Sequence, residues 1–156
     1  MDHAPDSPGA PNEAFPLPAL LTEARELMLA ELHRRLAELG FGDIRPGHGC
    51  VFRFVPANGI RLTELADLSE ITKQTCGEII DDVERLGYVE RVPDPDDRRA
   101  KIIRLTERGR VGQTTAQRIF AEIEQEWSER FGEARIEALR GLLEEIADER
   151  EAAPVA

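Results

Sequence analysis

The sequence predicts a mainly α-helical chain carrying one small β-hairpin. Apolar residues recur at spacings of three and four through several long stretches. The period then switches to extended over two short runs rich in valine and isoleucine, and the segment between these runs is built from Pro, Asp and Arg.

The chain has 156 residues, enough for one domain or one domain with an oligomerisation arm. With 41% apolar residues, general disorder is excluded. The net charge is −11, which taken alone argues against a nucleic-acid partner. The charge is unevenly spread: residues 51–110 carry 11 basic against 12 acidic residues, while the rest carries 9 against 19. Salt screens charges beyond about 8–10 Å, so an acidic body can still present a local basic surface. Two cysteines without a C-x-x-C pair do not make a disulfide framework. The acidic, Pro-rich start is unlike a signal peptide, and no apolar run is long enough to span a membrane. Cytoplasm is the expected location.

Residues 1–16 contain Pro5, Pro8, Pro11 and Pro16 and are expected to form a disordered arm. Met1-Asp2-His3 places a histidine third from an amino terminus, a spacing that can bind Cu(II) or Ni(II), though on a disordered arm it reads as an accidental site; no metal or cofactor is expected to serve the protein. From Leu17 a stripe runs through Leu20, Leu21, Ala24, Leu27, Met28, Leu32, Leu36 and Leu39, and glycines 40 and 42 stop it. Pro46 suits the first turn of a short helix reaching about Val55. Thr63 is expected to cap the next helix. A further helix over about Thr72 to Leu86 places Cys76, Ile79, Ile80, Val83 and Leu86 on one face and ends at Gly87. Residues 88–92 and 101–105 read as strands joined by a charged loop over 93–100. Thr106 is expected to cap a long helix bearing Val111, Ile119, Ile123, Trp127 and Phe131, broken by Gly132. A last helix carries Ile136, Leu139, Leu142, Leu143 and Ile146, and 151–156 form a tail. The expected division is 1–16, 17–45, 46–105, 106–150 and 151–156.

Two short helices followed by a two-stranded hairpin form a winged helix-turn-helix pattern. In that pattern the first helix braces the second, which reads base edges in the major groove, and the hairpin reaches sideways. Residues 61–110 resemble the central block of the MarR family. The most specific piece is Asp97-Arg98-Arg99 followed by Leu105-Thr106-Glu107-Arg108-Gly109, because the family has an Asp-x-Arg unit in the wing and then a Leu-Thr that opens a long helix. The stretch from Val83 to Arg91 is similar to the family's end of the recognition helix, with Val83 standing where a leucine is usual. The flanking helices fit in order and length, so the resemblance extends over about residues 17–150.

The resemblance implies a sequence-specific DNA-binding transcriptional regulator, a repressor by the commoner role, and no enzyme. It implies that Arg99 enters the minor groove, where narrow A·T-rich DNA attracts arginine. Asp97 orients it, and Arg98 and Lys101 contact phosphates. Thr72, Lys73, Gln74 and Thr75 fall where the family contacts DNA, and Gln and Lys can read base edges there. Glu78, Asp81 and Asp82 depart from expectation, since acidic groups would repel phosphate unless they pair with Arg85, face the brace helix or accept from a cytosine. Gly77 within a helix costs about 1 kcal/mol against alanine.

The flanking helices are too apolar for a 50-residue winged unit to cover, and the resemblance implies that they interlock with a second copy. A two-fold homodimer would set two recognition helices about 34–36 Å apart on a pseudo-palindromic operator. It further implies release by a small aromatic or phenolic ligand, with His33, His48, Arg53 and Trp127 as candidate lining residues. Cys50 follows Gly47-His48-Gly49, and a nearby histidine could lower its pKa, which makes it the candidate redox thiol. Cys76, on an apolar face, is expected to pack as a small hydrophobe. No G-x-S-x-G, phosphate-binding loop, H-E-x-x-H or metal cluster is present. The competing reading is a dimeric ligand- or protein-binding module of the same fold with weak DNA affinity.

Overall fold

A computed structural model describes residues 15–152, with side chains to residue 150. Residues 1–14, with the Met1-Asp2-His3 site, and most of the expected tail lie outside the described residues. The elements are α1 (Leu17–Glu38), a 3₁₀ turn (Pro46–His48), α2 (Gly49–Phe54), α3 (Leu62–Ser69), α4 (Lys73–Arg85), β1 (Val89–Pro93), β2 (Lys101–Leu105), α5 (Glu107–Phe131) and α6 (Glu133–Ala152). Among the described residues the architecture is thus six helices and one antiparallel hairpin, with Val89 opposite Leu105 and Pro93 opposite Lys101.

Helix ends follow the chain's punctuation. Gly40 takes φ +89°, and the Phe41 N–H returns to the Leu36 carbonyl at 2.9 Å, closing α1. Gly87 takes φ +84°, and the Tyr88 N–H returns to the Val83 carbonyl at 2.9 Å. Tyr88 therefore completes the end of α4, and the strand expected to begin there begins one residue later. Thr72 and Thr106 cap α4 and α5, accepting the N–H of Thr75 and of Gly109, each at 3.1 Å. Thr63 does not cap α3. It is the second helical residue, because Ile60 and Arg61 are held extended by mutual hydrogen bonds between Ile60 and Ile103 at 2.8 and 2.9 Å. Gly59 permits that approach: with φ +85°, a Cβ there would lie 2.2 Å from Ile102 Cγ2.

One core runs through the whole assembly of elements. Leu32 and Leu36 of α1, Val51 of α2, Leu65 of α3, Cys76, Ile80 and Val83 of α4, Ile103 and Leu105 of β2, and Ile119 and Ile123 of α5 are all buried in it. Fully burying side chains of this size contributes about 1.5–3 kcal/mol each. The predicted stripe of α1 behaves differently at its two ends. Leu32 and Leu36 are buried, whereas Leu17, Leu20, Leu21 and Leu27 are exposed. On α6, Leu139, Leu142, Leu143 and Ile146 are likewise exposed. Nothing among the described residues covers these positions. Among the described residues, too, no helix is long and apolar enough to cross a membrane.

The start of α5 is locked by contact rather than by helix propensity. A Cβ on Gly109 would lie 2.0 Å from the Tyr88 carbonyl oxygen, and backbone cannot easily yield. Gly49, at the first position of α2, has open space around its missing Cβ. Gly109→Ala is expected to lower unfolding free energy by about 1–3 kcal/mol, the usual cost of overpacking. Gly49→Ala should be neutral or stabilising by up to about 1 kcal/mol. Denaturant unfolding at one protein concentration reads both, and equal effects would contradict the packing argument.

Candidate nucleic-acid interface

Helix α4 buries Cys76, Ile80 and Val83 and exposes Lys73, Gln74, Thr75, Glu78, Asp81 and Arg85. The three-residue turn before it starts at Glu70, the non-glycine residue with positive φ (55°) among those described, and ends at the Thr72 cap. Thr72, Lys73, Gln74 and Thr75 are thus gathered, all exposed, on the first turn of α4. The Thr72 hydroxyl also donates to Thr75 Oγ1 at 2.9 Å, and the Gln74 amide reaches Glu78 at 3.4 Å.

The acidic residues of α4 are largely neutralised. Asp82 receives the guanidiniums of Arg45 and Arg85, and the His48 Nε2–H at 2.7 Å. Asp81 receives Arg91 from β1 at 2.7 Å, and Arg91 also reaches Glu84 at 2.7 Å. Of the three acids that depart from expectation, Glu78 alone has no cation on it among the described residues. Gly77 lies 4.0 Å, measured from its ideal Cβ, from Leu62 Cδ1, an ordinary van der Waals distance.

The hairpin loop exposes Asp97, Arg98 and Arg99, with Lys101 exposed at the start of β2. Asp97 Oδ1 accepts the Arg99 backbone N–H at 3.0 Å. The carboxylate therefore orients the loop backbone at Arg99 rather than the guanidinium itself. The chain contains two lysines, Lys73 and Lys101. Neither they nor Arg98 and Arg99 have an ion-pair partner among the described residues, whereas most other arginines do. Arg25, Arg53, Arg130 and Arg135 also lack one, so the first turn of α4 and the hairpin hold four of the uncommitted cations, both lysines among them.

Sequence reasoning missed two interactions that hold these segments. Asp94 is buried in the hairpin loop and receives Arg61 Nε at 2.8 Å, with Nη2 on the same oxygen, while its other oxygen accepts the Asp96 N–H at 2.9 Å. These bonds hold its carboxyl below the usual range, the Asp96 N–H first and Arg61 next. The available signal was an aspartate between two prolines, Pro93 and Pro95. Tyr88, fully buried, donates its hydroxyl to Asp43 and receives Arg108 Nη2 at 3.0 Å, and Arg108 also bonds Asp43 at 2.7 Å. Burial pushes the Tyr88 phenol up, and the Asp43 hydrogen bond adds to this.

The four candidate ligand residues do not converge. A cavity of about 650 Å³ between α1, α2, α3 and α5 is lined by His33, Arg53 and Cys50, but not by His48 or Trp127. His33 Nδ1–H donates to the Ile44 carbonyl at 3.1 Å, which fixes the ring in the cavity wall. The Ser69 hydroxyl, on the cavity wall, is buried without a partner among the described residues. Trp127 lies instead in a separate apolar groove of about 530 Å³ between α1, α5 and α6. His48 is buried elsewhere, with Nδ1 accepting the Arg45 N–H at 3.1 Å and Nε2–H donating to Asp82. Both of its ring nitrogens are engaged, so neither is available to activate the thiol of Cys50. Cys76 is buried, its thiol 3.8 Å from the Leu62 carbonyl, and burial pushes its pKa up, as suits a packed hydrophobe. Among the described residues, no group of three metal-ligating side chains occurs.

The helix–turn–helix of α3 and α4, braced by α2 and followed by the hairpin, defines a winged helix-turn-helix. Residues 43–100, which span the winged unit, match the model of the MarR family. Solved structures share the fold over nearly the whole chain. A structure of MarR is 24% identical with TM-score 0.73, covering 89% of this chain and 100% of that one. The transcriptional repressor CouR, bound to a 23-mer DNA duplex, is 27% identical with TM-score 0.69, covering 84% and 92%. CouR from Rhodococcus jostii RHA1 bound to p-coumaroyl-CoA is 24% identical with TM-score 0.65, covering 85% and 92%. No curated protein sequence matches the chain.

The His48 contact has a definite pH signature. Burial, with Arg45 beside it, pushes the His48 pKa below 6.5. Its Nδ1 must be unprotonated to accept the Arg45 N–H. The stability tied to this neutral form is complete above the unfolded-state pKa of about 6.5 and is lost as pH falls towards the folded value. Urea unfolding between pH 8 and 5 should show stability falling below about pH 6.5, and His48→Gln should remove most of that slope. An unchanged slope in the variant would place the titration on another group.

Proposed function

We propose that this protein is a sequence-specific DNA-binding transcriptional regulator, a repressor acting as a homodimer on pseudo-palindromic operators. One observation carries the reading: four exposed cations without carboxylate partners among the described residues, Lys73, Arg98, Arg99 and Lys101, are gathered on the first turn of α4 and in the hairpin. On a winged helix-turn-helix those are the two segments that reach the major groove and its flank. Thr72, Gln74 and Thr75 offer hydrogen-bonding groups beside Lys73, and Arg99 is the residue for a narrow minor groove. Pairing of Asp81 and Asp82 with arginine removes much of the repulsion that α4 would otherwise offer phosphate. The CouR–DNA complex supports the reading for a protein 27% identical to this one.

The homodimer rests on the apolar face left open along α1 and α6, including Leu17, Leu20, Leu139, Leu142 and Ile146. Contiguous exposed apolar surface of this kind marks an interface. A matching face on a second copy covers it and puts two winged units side by side. The acidic excess outside residues 51–110 then falls mainly on the dimer body.

The test measures mass by light scattering and then titrates DNA flanking the gene at two salt concentrations. The expected result is twice the chain mass, selective binding, and a steep fall in affinity with salt from counterion release. Arg99→Ala should cost about tenfold, and Lys101→Ala should reduce the salt slope by about one. A folded monomer would contradict the dimer. Folded protein without sequence preference, there or in genomic site selection, would favour the ligand- or protein-binding module, to which the open carboxylate of Glu78 lends some weight.

The ligand reading attaches to the 650 Å³ cavity, a size typical of small-molecule sites. Arg25, Arg45, Arg53 and Arg150 line it against one acid, Glu70, so an aromatic anion is the matching class. Aromatic carboxylates should weaken DNA binding severalfold in the wild type and less in Arg53→Ala, measured by anisotropy. No response to any aromatic anion would remove the cavity as the sensor.

A further inference from the structure

The hairpin loop is internally knitted. The Asp94 N–H bonds the Ala100 carbonyl at 3.0 Å, the Ala100 N–H bonds the Asp97 carbonyl at 3.0 Å, and Asp97 Oδ1 holds the Arg99 N–H. Pro93 and Pro95 fix φ on either side of Asp94. A loop built this way moves as one piece, so its aim depends on where it is tethered. The base of the hairpin is tied to the body by the Ile60–Ile103 backbone pair. Beyond that pair, one side-chain connection among the described residues joins the loop to a helix: the Arg61 guanidinium, at the N-cap of α3, on the buried carboxylate of Asp94.

We propose that Arg61 and Asp94 are positioning residues for the wing, setting the direction in which Arg98 and Arg99 leave the body. The inference rests on the DNA-binding reading above. Arg61 acts without touching nucleic acid. It fixes the loop to the helix that also braces α4, so the two DNA-contacting segments are referred to one rigid element. The Asp94 carboxylate is fully occupied, with one oxygen on Arg61 and the other on the Asp96 N–H. Removing Arg61 leaves a buried carboxylate with half its partners, and the loop must then move to solvate it. A lysine at position 61 would keep the charge but offer a compact ammonium in place of the guanidinium fork.

The test is a double-mutant cycle on DNA affinity, with hydrogen exchange of the free proteins beside it. Asp94→Asn is expected to weaken operator binding about tenfold and to speed exchange at the amides of Asp96, Arg99 and Ala100, with α3 and α4 unchanged. Asp94→Asn combined with Arg98→Ala and Arg99→Ala should bind no more weakly than the Arg98→Ala, Arg99→Ala variant alone, because misaimed arginines and absent ones are equivalent. Arg61→Lys should fall between wild type and Arg61→Gln, and serves if Asp94→Asn fails to fold. Multiplying losses in the cycle, or wild-type affinity for folded Asp94→Asn, would overturn the proposal. Failure of the wild type to bind any DNA would sink the DNA reading and the wing's role together, whereas faster exchange confined to the loop would still establish the tether.

Discussion

The structure depends on one junction, where the hairpin hands the chain to α5. Tyr88 sits at its centre. Its N–H closes α4, its carbonyl accepts the Thr106 N–H at 3.0 Å, and its hydroxyl joins Asp43 and Arg108. The Thr106 hydroxyl donates to the Gly87 carbonyl at 2.6 Å and accepts from Gly109, where only a glycine fits beneath the Tyr88 carbonyl. Leu105 therefore fills the core, Thr106 caps the helix and Gly109 permits the close contact. This junction is what sets α5, and with it the long apolar helices, at a defined angle to the winged unit. Phe52 packs edge-on against Tyr88, with ring centroids 5.5 Å apart, so α2 is drawn into the same junction.

A second constraint is electrostatic. An acidic chain can approach DNA only if its negative groups are paired or distant where the contact occurs. Both conditions operate here. Arg45, Arg85 and Arg91 occupy the carboxylates of Asp82 and Asp81 on α4, while Lys73, Arg98, Arg99 and Lys101 stay uncommitted at the first turn and in the wing. The body carries its excess charge on helices whose surface pairs, such as Glu31 with Arg34 and Arg35, serve the helices themselves. Exposed pairs of this kind add little stability.

The order and type of elements were legible in the sequence because each announces itself locally, through apolar period, capping threonine or terminating glycine. Thr72, Thr106, Gly40 and Gly87 all act where the local chemistry puts them. Thr63 misled because a backbone bridge from Ile103, remote in sequence, decides where α3 begins. The same reason hid the supports of the candidate interface. Arg61 with Asp94, His48 with Asp82 and Tyr88 with Asp43 join residues 33, 34 and 45 positions apart, and no local pattern marks them. The scatter of His33, His48, Arg53 and Trp127 over three environments has the same origin, since residue type alone carries no information about which wall a side chain faces.

If the first turn of α4 and the wing form one DNA-contacting surface, hydrogen exchange of the protein with and without saturating operator duplex must report it. Slowed exchange is expected to be confined to residues 72–75 and 97–101, arising in both segments together and lost together at high salt. Protection spread over α1 and α6, or none at either segment despite bound duplex, would contradict the shared surface.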